Sequence, residues 1–274
     1  EFNTTVTTNS HGLRGGNINS ERQCQILALG DSYTFGHGVN DNETYSQQLQ
    51  KKLDTAFPGT YSVINAGHNG YDNRREAAFF ETFGIQLNPD LVTVGFTIND
   101  PLSNSGEYFY SPIPLNILRY FPFEGVASLL EYLRRNPKEL LFKLGLLTDW
   151  TEINHWTCLN KGKCTKAWDV TREQLLRIKR QADTLGIPFI VMNIPAREQL
   201  PGGKPPIVAD GSLPGRFLKT FTNEIGVHFI DFYANSAIRK EHFYPIDGHL
   251  QPEGHTLIAN KMFDDVVNLT HNCR

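Results

Sequence analysis

Gln25-Ile26-Leu27-Ala28-Leu29-Gly30-Asp31-Ser32-Tyr33-Thr34 is the stretch that decides the fold. Its uncharged run, residues 25–29, is too short for a helix and has the length of a strand buried on both faces. Gly30 ends the run, and Asp31 and Ser32 are residue types that open a helix. The same unit then recurs. Apolar runs at 61–65, 91–96, 188–194 and 228–232 read as four more strands. Between and after them, 45–57, 73–87, 167–185, 214–225 and 252–267 read as helices. Leu49, Leu53 and Phe57 share one face of the first, and Pro252 stands at the start of the last. Apolar strands separated by helices specify an α/β fold with a parallel sheet covered on both faces. We expect a flavodoxin-like three-layer sandwich with a five-stranded sheet.

A chain of 274 residues, 39% hydrophobic and 20% charged, is long enough to bury a sizeable core as one domain. The expected unit is a single domain over 1–274. The strand–helix rhythm breaks at 101–165, a segment rich in aromatics that includes Tyr108, Phe109, Tyr110, Tyr120, Trp150 and Trp156. Two helical stretches fall inside it, at 125–135 and 137–147. This helical insertion after the third strand reads equally as a cap over a site or as an extra layer of core. A net charge of −3 argues against a nucleic-acid partner. The longest apolar runs are strand-sized, far below the roughly 20 residues of a membrane helix, so no membrane span is expected.

Four cysteines are too few for a disulfide scaffold in a chain of this length. Cys158 and Cys164 bracket a Gly- and Lys-containing turn and suit local closure. Cys24 and Cys273 can pair only if the fold brings the ends of the chain together. The chain opens on Glu1 rather than Met, which reads as processed or truncated. With Asn3, Asn42 and Asn268 in the glycosylation acceptor pattern, the reading leans to an exported protein.

In an open parallel sheet, ligands bind beyond the carboxyl ends of the strands. The segments there bring Asp31 and Ser32, then Asn65 to Gly70, then Thr97 to Asp100, and finally Asp247-Gly248-His249. A hydroxyl, backbone N–H groups, a carboxamide, a carboxylate and an imidazole are the inventory of nucleophilic acyl transfer. In order and placement, Gly30-Asp31-Ser32, Gly67, Gly95 with Asn99-Asp100, and Asp247 with His249 resemble the four signature blocks of the SGNH (GDSL-type) hydrolases. The resemblance implies Ser32 as nucleophile, His249 as base, and Asp247 as the residue that fixes the His249 tautomer. It implies an oxyanion hole made by the N–H groups of Ser32 and Gly67 and the side chain of Asn99. Glycine at 67 is then expected because no side chain shields its N–H.

The sequence departs from that pattern in three places. Tyr33 stands where the tag has leucine. Gly95 is separated from Asn99 by three residues instead of one. The carboxylate stands two residues before the histidine, with Ile246 at the commoner position. The implied activity is a serine esterase acting through an acyl-enzyme, on a small-molecule, saccharide or lipid ester, without cofactor or metal. An O-acyltransferase working on a saccharide, and a non-catalytic carbohydrate-binding relative, are the alternatives. A nucleotide- or FMN-binding flavodoxin is disfavoured because the 30–32 turn offers little of a phosphate cradle. Ser32 as a plain helix cap is the competing structural reading; His255, inside the last helix, could compete with His249 and Asp231 could orient a histidine, but both read as structural. His37 and His68, near the rim, read as solvated loop histidines ahead of pocket-lining ones. Asp31 and Asp100 read as braces of their turns, and Arg14 as a partner of a core-edge carboxylate or of the site.

Overall fold

The computed structural model describes residues 1–101, 165–200, 210–234 and 238–273. Five strands, β1 (Cys24–Gly30), β2 (Tyr61–Gly67), β3 (Leu91–Phe96), β4 (Phe189–Asn193) and β5 (His228–Asp231), form one sheet in the order β2-β1-β3-β4-β5. Every pairing is parallel. The first four strands are buried along their whole length, as their uninterrupted apolar runs require, and only β5, at an edge, reaches solvent. Among the described residues the α-helices are α1 (Ser32–Phe35), α2 (Tyr45–Ala56), α3 (Asn73–Thr82), α4 (Thr165–Leu185), α5 (Leu213–Glu224) and α6 (Pro252–Leu269). This is the expected doubly wound α/β architecture.

Alternation along the strands divides the core in two. Leu27, Leu29, Val92, Val94 and Val191 face α3, α4 and α5, against Phe80, Leu175, Ile178, Leu218 and Phe221. Ile26, Ala28, Ile190 and Met192 face the other way, against Leu49 and Leu53 of α2 and Ile258 and Met262 of α6. The direction of winding reverses at β1: the chain moves outward to β2, then crosses back to β3. That switch point opens a crevice between the ends of β1 and β3.

One expectation is adjusted, and one pairing left open by the sequence is found. The helix expected over 73–87 stops at Thr82 and continues as a 3-10 turn, Gly84–Leu87, which ends on Asn88 at φ 48°. Pro89 follows and cannot extend a helix. The ends of the chain do meet: Cys24, at the start of β1, is disulfide-bonded to Cys273 with 5.5 Å between their Cα atoms. The aromatic insertion 101–165, its two helices, and Cys158 and Cys164 with their expected closure lie outside the described residues, apart from Pro101 and Thr165.

Candidate active site

Near the carboxyl ends of three adjacent strands, β2, β1 and β3, lies a row of glycines, since Gly30 pairs with Gly67 on one side and with Gly95 on the other. The turn bearing Ser32 rests on this row. A Cβ at Gly95 would come within 2.5 Å of Thr34 Oγ1, one at Gly30 within 2.7 Å of Thr34 Cβ, and one at Gly67 within 2.6 Å of the Thr34 carbonyl carbon. Glycine at 67 is therefore demanded by the close approach of α1, not by the need to expose an N–H. The wide Gly95–Asn99 spacing has the same origin: Gly95 belongs to the floor beneath α1, and Asn99 to the loop beyond it. Thr34 is the plug that seats on this floor, and its Oγ1 accepts a hydrogen bond from buried Tyr45 at 3.0 Å.

Both ends of α1 are held. Asp31 caps its start by accepting from Tyr33 N at 2.9 Å. At its end the buried Arg14 guanidinium donates to the carbonyls of Phe35, Gly36 and Val39 at 2.7, 2.5 and 2.6 Å, and pairs with Asp41 at 2.9 Å. Of the two roles expected for Arg14, the structure shows the core-edge pairing. Its positive charge lies on the helix's last carbonyls, where the macrodipole is negative.

Loop 240–250, between β5 and α6, returns to this turn. Tyr244 N donates to His249 O at 2.8 Å, Gly248 N donates to Tyr244 O at 3.0 Å, and Phe243 bridges Leu250. Gly248 sits at φ 86°, a left-handed position open to glycine, and it folds Asp247 back onto its own neighbour. One Asp247 oxygen thus accepts from His249 N at 3.2 Å and lies 2.6 Å from His249 Nδ1. This local turn explains how a carboxylate two residues before the histidine reaches its ring. On the other side of the ring, Nε2 is 2.8 Å from Ser32 Oγ. With Nδ1–H donating to Asp247, which stays ionised, Nε2 is left to accept the Ser32 proton. Burial would raise the Asp247 carboxyl, but the hydrogen bond and charge of His249 win and hold it below the ordinary carboxylate range.

The fold thus brings Ser32, His249 and Asp247 into one hydrogen-bonded chain. Asn99 arrives beside them by way of Asp31: its Nδ2 donates to Asp31 Oδ2 at 2.9 Å, and Thr97 Oγ1 donates to the same oxygen at 2.8 Å. An amide nitrogen carries two protons, so one remains after this bond. Gly67 N donates to Asn65 Oδ1 at 3.0 Å, so its N–H is engaged within its own strand. Ser32 N stands in the first turn of α1, where N–H groups lack intrahelical partners.

The remaining candidates take structural positions. His255 is buried in α6, where its Nδ1 accepts from Tyr45 N at 3.3 Å. Asp231 accepts from Asn193 Nδ2 and from the N–H groups of Tyr233 and Ala234. Asp100 accepts from Thr97 N at 2.9 Å. His68 is exposed and stacks on Tyr71. His37 lies closer to the site than a solvated loop residue: its Nε2 is 3.7 Å from Asp247, and its ring centroid is 4.7 Å from that of His249. Sequence reasoning placed Asn65 and Thr97 at the rim without giving either a role, and it missed Glu1. The Glu1 carboxylate accepts from Ile246 N at 2.7 Å and from Asp247 N at 2.6 Å, bracing the loop. No local pattern announces a contact 245 residues away.

Buried acids crowd behind Asp31. Asp31, Glu76 and Asp100 are inaccessible, and Glu76 Oε1 and Asp100 Oδ1 have no hydrogen-bond partner among the described residues. Burial pushes the Glu76 carboxyl up to about 8, and Asp31 and Asp72 add repulsion. Asp100 is raised well above the ordinary range for the same reasons, burial first. Asp31 is raised by burial against the hydrogen bonds from Asn99, Tyr33 and Thr97.

Residues 28–257 match the GDSL-like Lipase/Acylhydrolase family. The chain belongs to that family. It is accordingly an ester hydrolase, the class to which the assembled serine, histidine and carboxamide point. No curated protein matches the sequence. Among solved structures, Axe2, an acetylxylan esterase from Geobacillus stearothermophilus, aligns at TM-score 0.54 and 16% identity, over 89% of this chain and 94% of its own. The acetyl xylan esterase AlAXEase aligns at TM-score 0.52 and 14% identity, over 88% and 99%. The psychrotrophic esterase EstA from Pseudoalteromonas sp. aligns at 0.51 and 15%, over 90% and 98%. At such identities these neighbours speak for the fold.

Proposed function

We propose that this family member cleaves its ester through a covalent acyl-enzyme on Ser32. The observation that carries the reading is the unbroken chain from Asp247 through His249 to Ser32, at 2.6 and 2.8 Å. Serine hydroxyl is a weak nucleophile unaided. As Ser32 Oγ attacks the carbonyl carbon, His249 Nε2 takes its proton and then gives it to the departing alcohol. Water repeats the sequence to release the acid. Asp247 holds the ring in the tautomer that can accept, and its charge stabilises the imidazolium that forms.

The oxyanion falls to Ser32 N–H and the second Asn99 N–H. Gly67 N–H joins them when the substrate oxygen displaces Asn65 Oδ1. One such donor is worth about 2.7–4 kcal/mol of transition-state stabilisation. Hydrolysis is put before transfer to a saccharide, and short acyl groups before long ones. Acetylated xylan, on which two of the structural neighbours act by name, supplies the natural first substrate class to try. The reading includes export, supported by the Cys24–Cys273 disulfide, because such bonds persist in oxidising compartments.

The test is hydrolysis of p-nitrophenyl esters of graded chain length and of acetylated xylo-oligosaccharide, with and without acceptor sugars. Acid release that is fastest for acetyl and unchanged by acceptors is the expected result. Acyl-sugar product in place of free acid would convert the reading to a transferase.

A further inference from the structure

Among the described residues two groups of side chains converge as a metal-ligand set would. One is Cys24, Cys273 and Asp90, but its sulfurs are joined to each other. The other is His37, Asp247 and His249, whose ligand atoms all lie within 4.8 Å of one another. Their side chains keep 36%, 27% and 23% of their exposure, so an ion can enter from solvent. His37 is presented from a loop by two flanking glycines, Gly36 at φ 85° and Gly38 at φ 87°, and is steadied by the Phe2 ring at 5.3 Å. The Asp247 oxygen it approaches, at 3.7 Å, is the one not used by His249.

We infer that His37, Asp247 and His249 form an inhibitory site for a zinc-type divalent cation. Two imidazoles and a carboxylate, with water in the fourth place, are a common zinc donor set. Bond lengths of 2.0–2.2 Å in a tetrahedron set ligand atoms roughly 3.3 Å apart. The 3.7 Å between His37 Nε2 and Asp247 Oδ2 needs only a small adjustment to reach that spacing. Magnesium and calcium prefer all-oxygen shells and are excluded by the donor types.

The consequence for catalysis follows from the atoms used. A cation at His249 Nδ1 replaces the proton that this nitrogen shares with Asp247 and opens that 2.6 Å hydrogen bond, so the neutral ring carries its single proton on Nε2. Nε2–H donates and cannot receive the Ser32 proton. The same ion occupies the Asp247 carboxylate that otherwise selects the active tautomer. Zinc therefore locks the ring in the unproductive form without touching Ser32. The binding half of this inference stands on geometry, and the inhibitory half rests on the esterase reading above.

The two halves are tested separately. Binding is read by titration calorimetry with zinc ion on metal-free Ser32→Ala, which keeps all three ligands. One zinc per chain is expected, with magnesium and calcium silent. Adding His37→Ala should weaken zinc by at least about tenfold, since even a residue supporting a ligand is worth 10–100-fold. His37→Gln keeps the loop's bulk and should weaken it alike, with the melting temperature of both variants checking that the fold persists. Inhibition is read with the Ser32 enzyme on p-nitrophenyl acetate. Zinc should silence it, a chelator should restore it, and His37→Ala should keep working at zinc levels that stop the parent. Absence of one-to-one binding, or equal affinity in the His37 variants, would overturn the site. Stoichiometric binding with undiminished hydrolysis would overturn the tautomer lock.

Discussion

Asn99 illustrates how much one side chain is asked to do. Its amide is tied to Asp31 on one proton, which leaves the other fixed in direction before any substrate arrives. A donor held in place this way contributes most where charge develops, so its loss falls on the transition state. Asn99→Ala is expected to lower kcat by roughly 10²–10³-fold with KM nearly unchanged. A change confined to KM in steady-state kinetics would move Asn99 to a substrate-holding role. Asp247 is a residue whose placement was legible only in part. The sequence shows the Asp-x-His spacing but not that Gly248 turns through φ 86° and brings the carboxylate to 2.6 Å from the ring. Asn65 and Thr97 could be placed at the rim, but their roles were not legible, for a related reason. Their hydrogen bonds run to groups 31 and 66 residues away, and side-chain direction is set by packing that periodicity does not encode.

At the level of elements, strand identity and order of appearance could be read because buried parallel strands leave an apolar run with few alternatives. The ends of the helices were less legible, as the break at Thr82 shows. What the runs did not reveal is why glycine stands at the same level near the ends of three adjacent strands. The row Gly67, Gly30, Gly95 lets α1 lie directly on the sheet with Thr34 seated in it. Gly67→Ala should force backbone apart from backbone, costing on the order of 1–3 kcal/mol of stability and displacing Ser32 from His249. Urea unfolding together with kcat checks this. An alanine variant with parental stability and activity would mean that the contact relaxes without consequence.

For the molecule as a whole, the buried carboxylates and the buried imidazole set opposing limits on the pH range of stability. Glu76 moves from 4.5 to about 8 on folding, so the folded chain holds its proton where the unfolded chain has lost it. Its contribution is fully present below pH 4.5 and is lost as pH rises through about 8, at on the order of 1.4 kcal/mol per pH unit within that window. Asp31 and Asp100 push the same way. His255 works against them: burial lowers it from 6.5 to about 3, so stability is lost as pH falls through that interval. Glu76→Gln mimics the protonated acid. It should match the parent near pH 5 and exceed it by a growing margin up to pH 8 in urea midpoints. A constant difference across that range would show that Glu76 is ionised in the folded protein. The Cys24–Cys273 bond ties both ends of the chain beneath this core, a pairing the sequence allowed but did not require.

The central claim is that the hydroxyl of Ser32, and no other group, forms the covalent bond with the acyl carbon. Reaction with a fluorophosphonate ester followed by peptide mass spectrometry reads this directly. One adduct per chain on the peptide containing Ser32 is expected. His249→Ala should label at least about a thousandfold more slowly, because the hydroxyl has lost its base. An adduct on any other residue, or labelling of His249→Ala at the parental rate, would contradict the account.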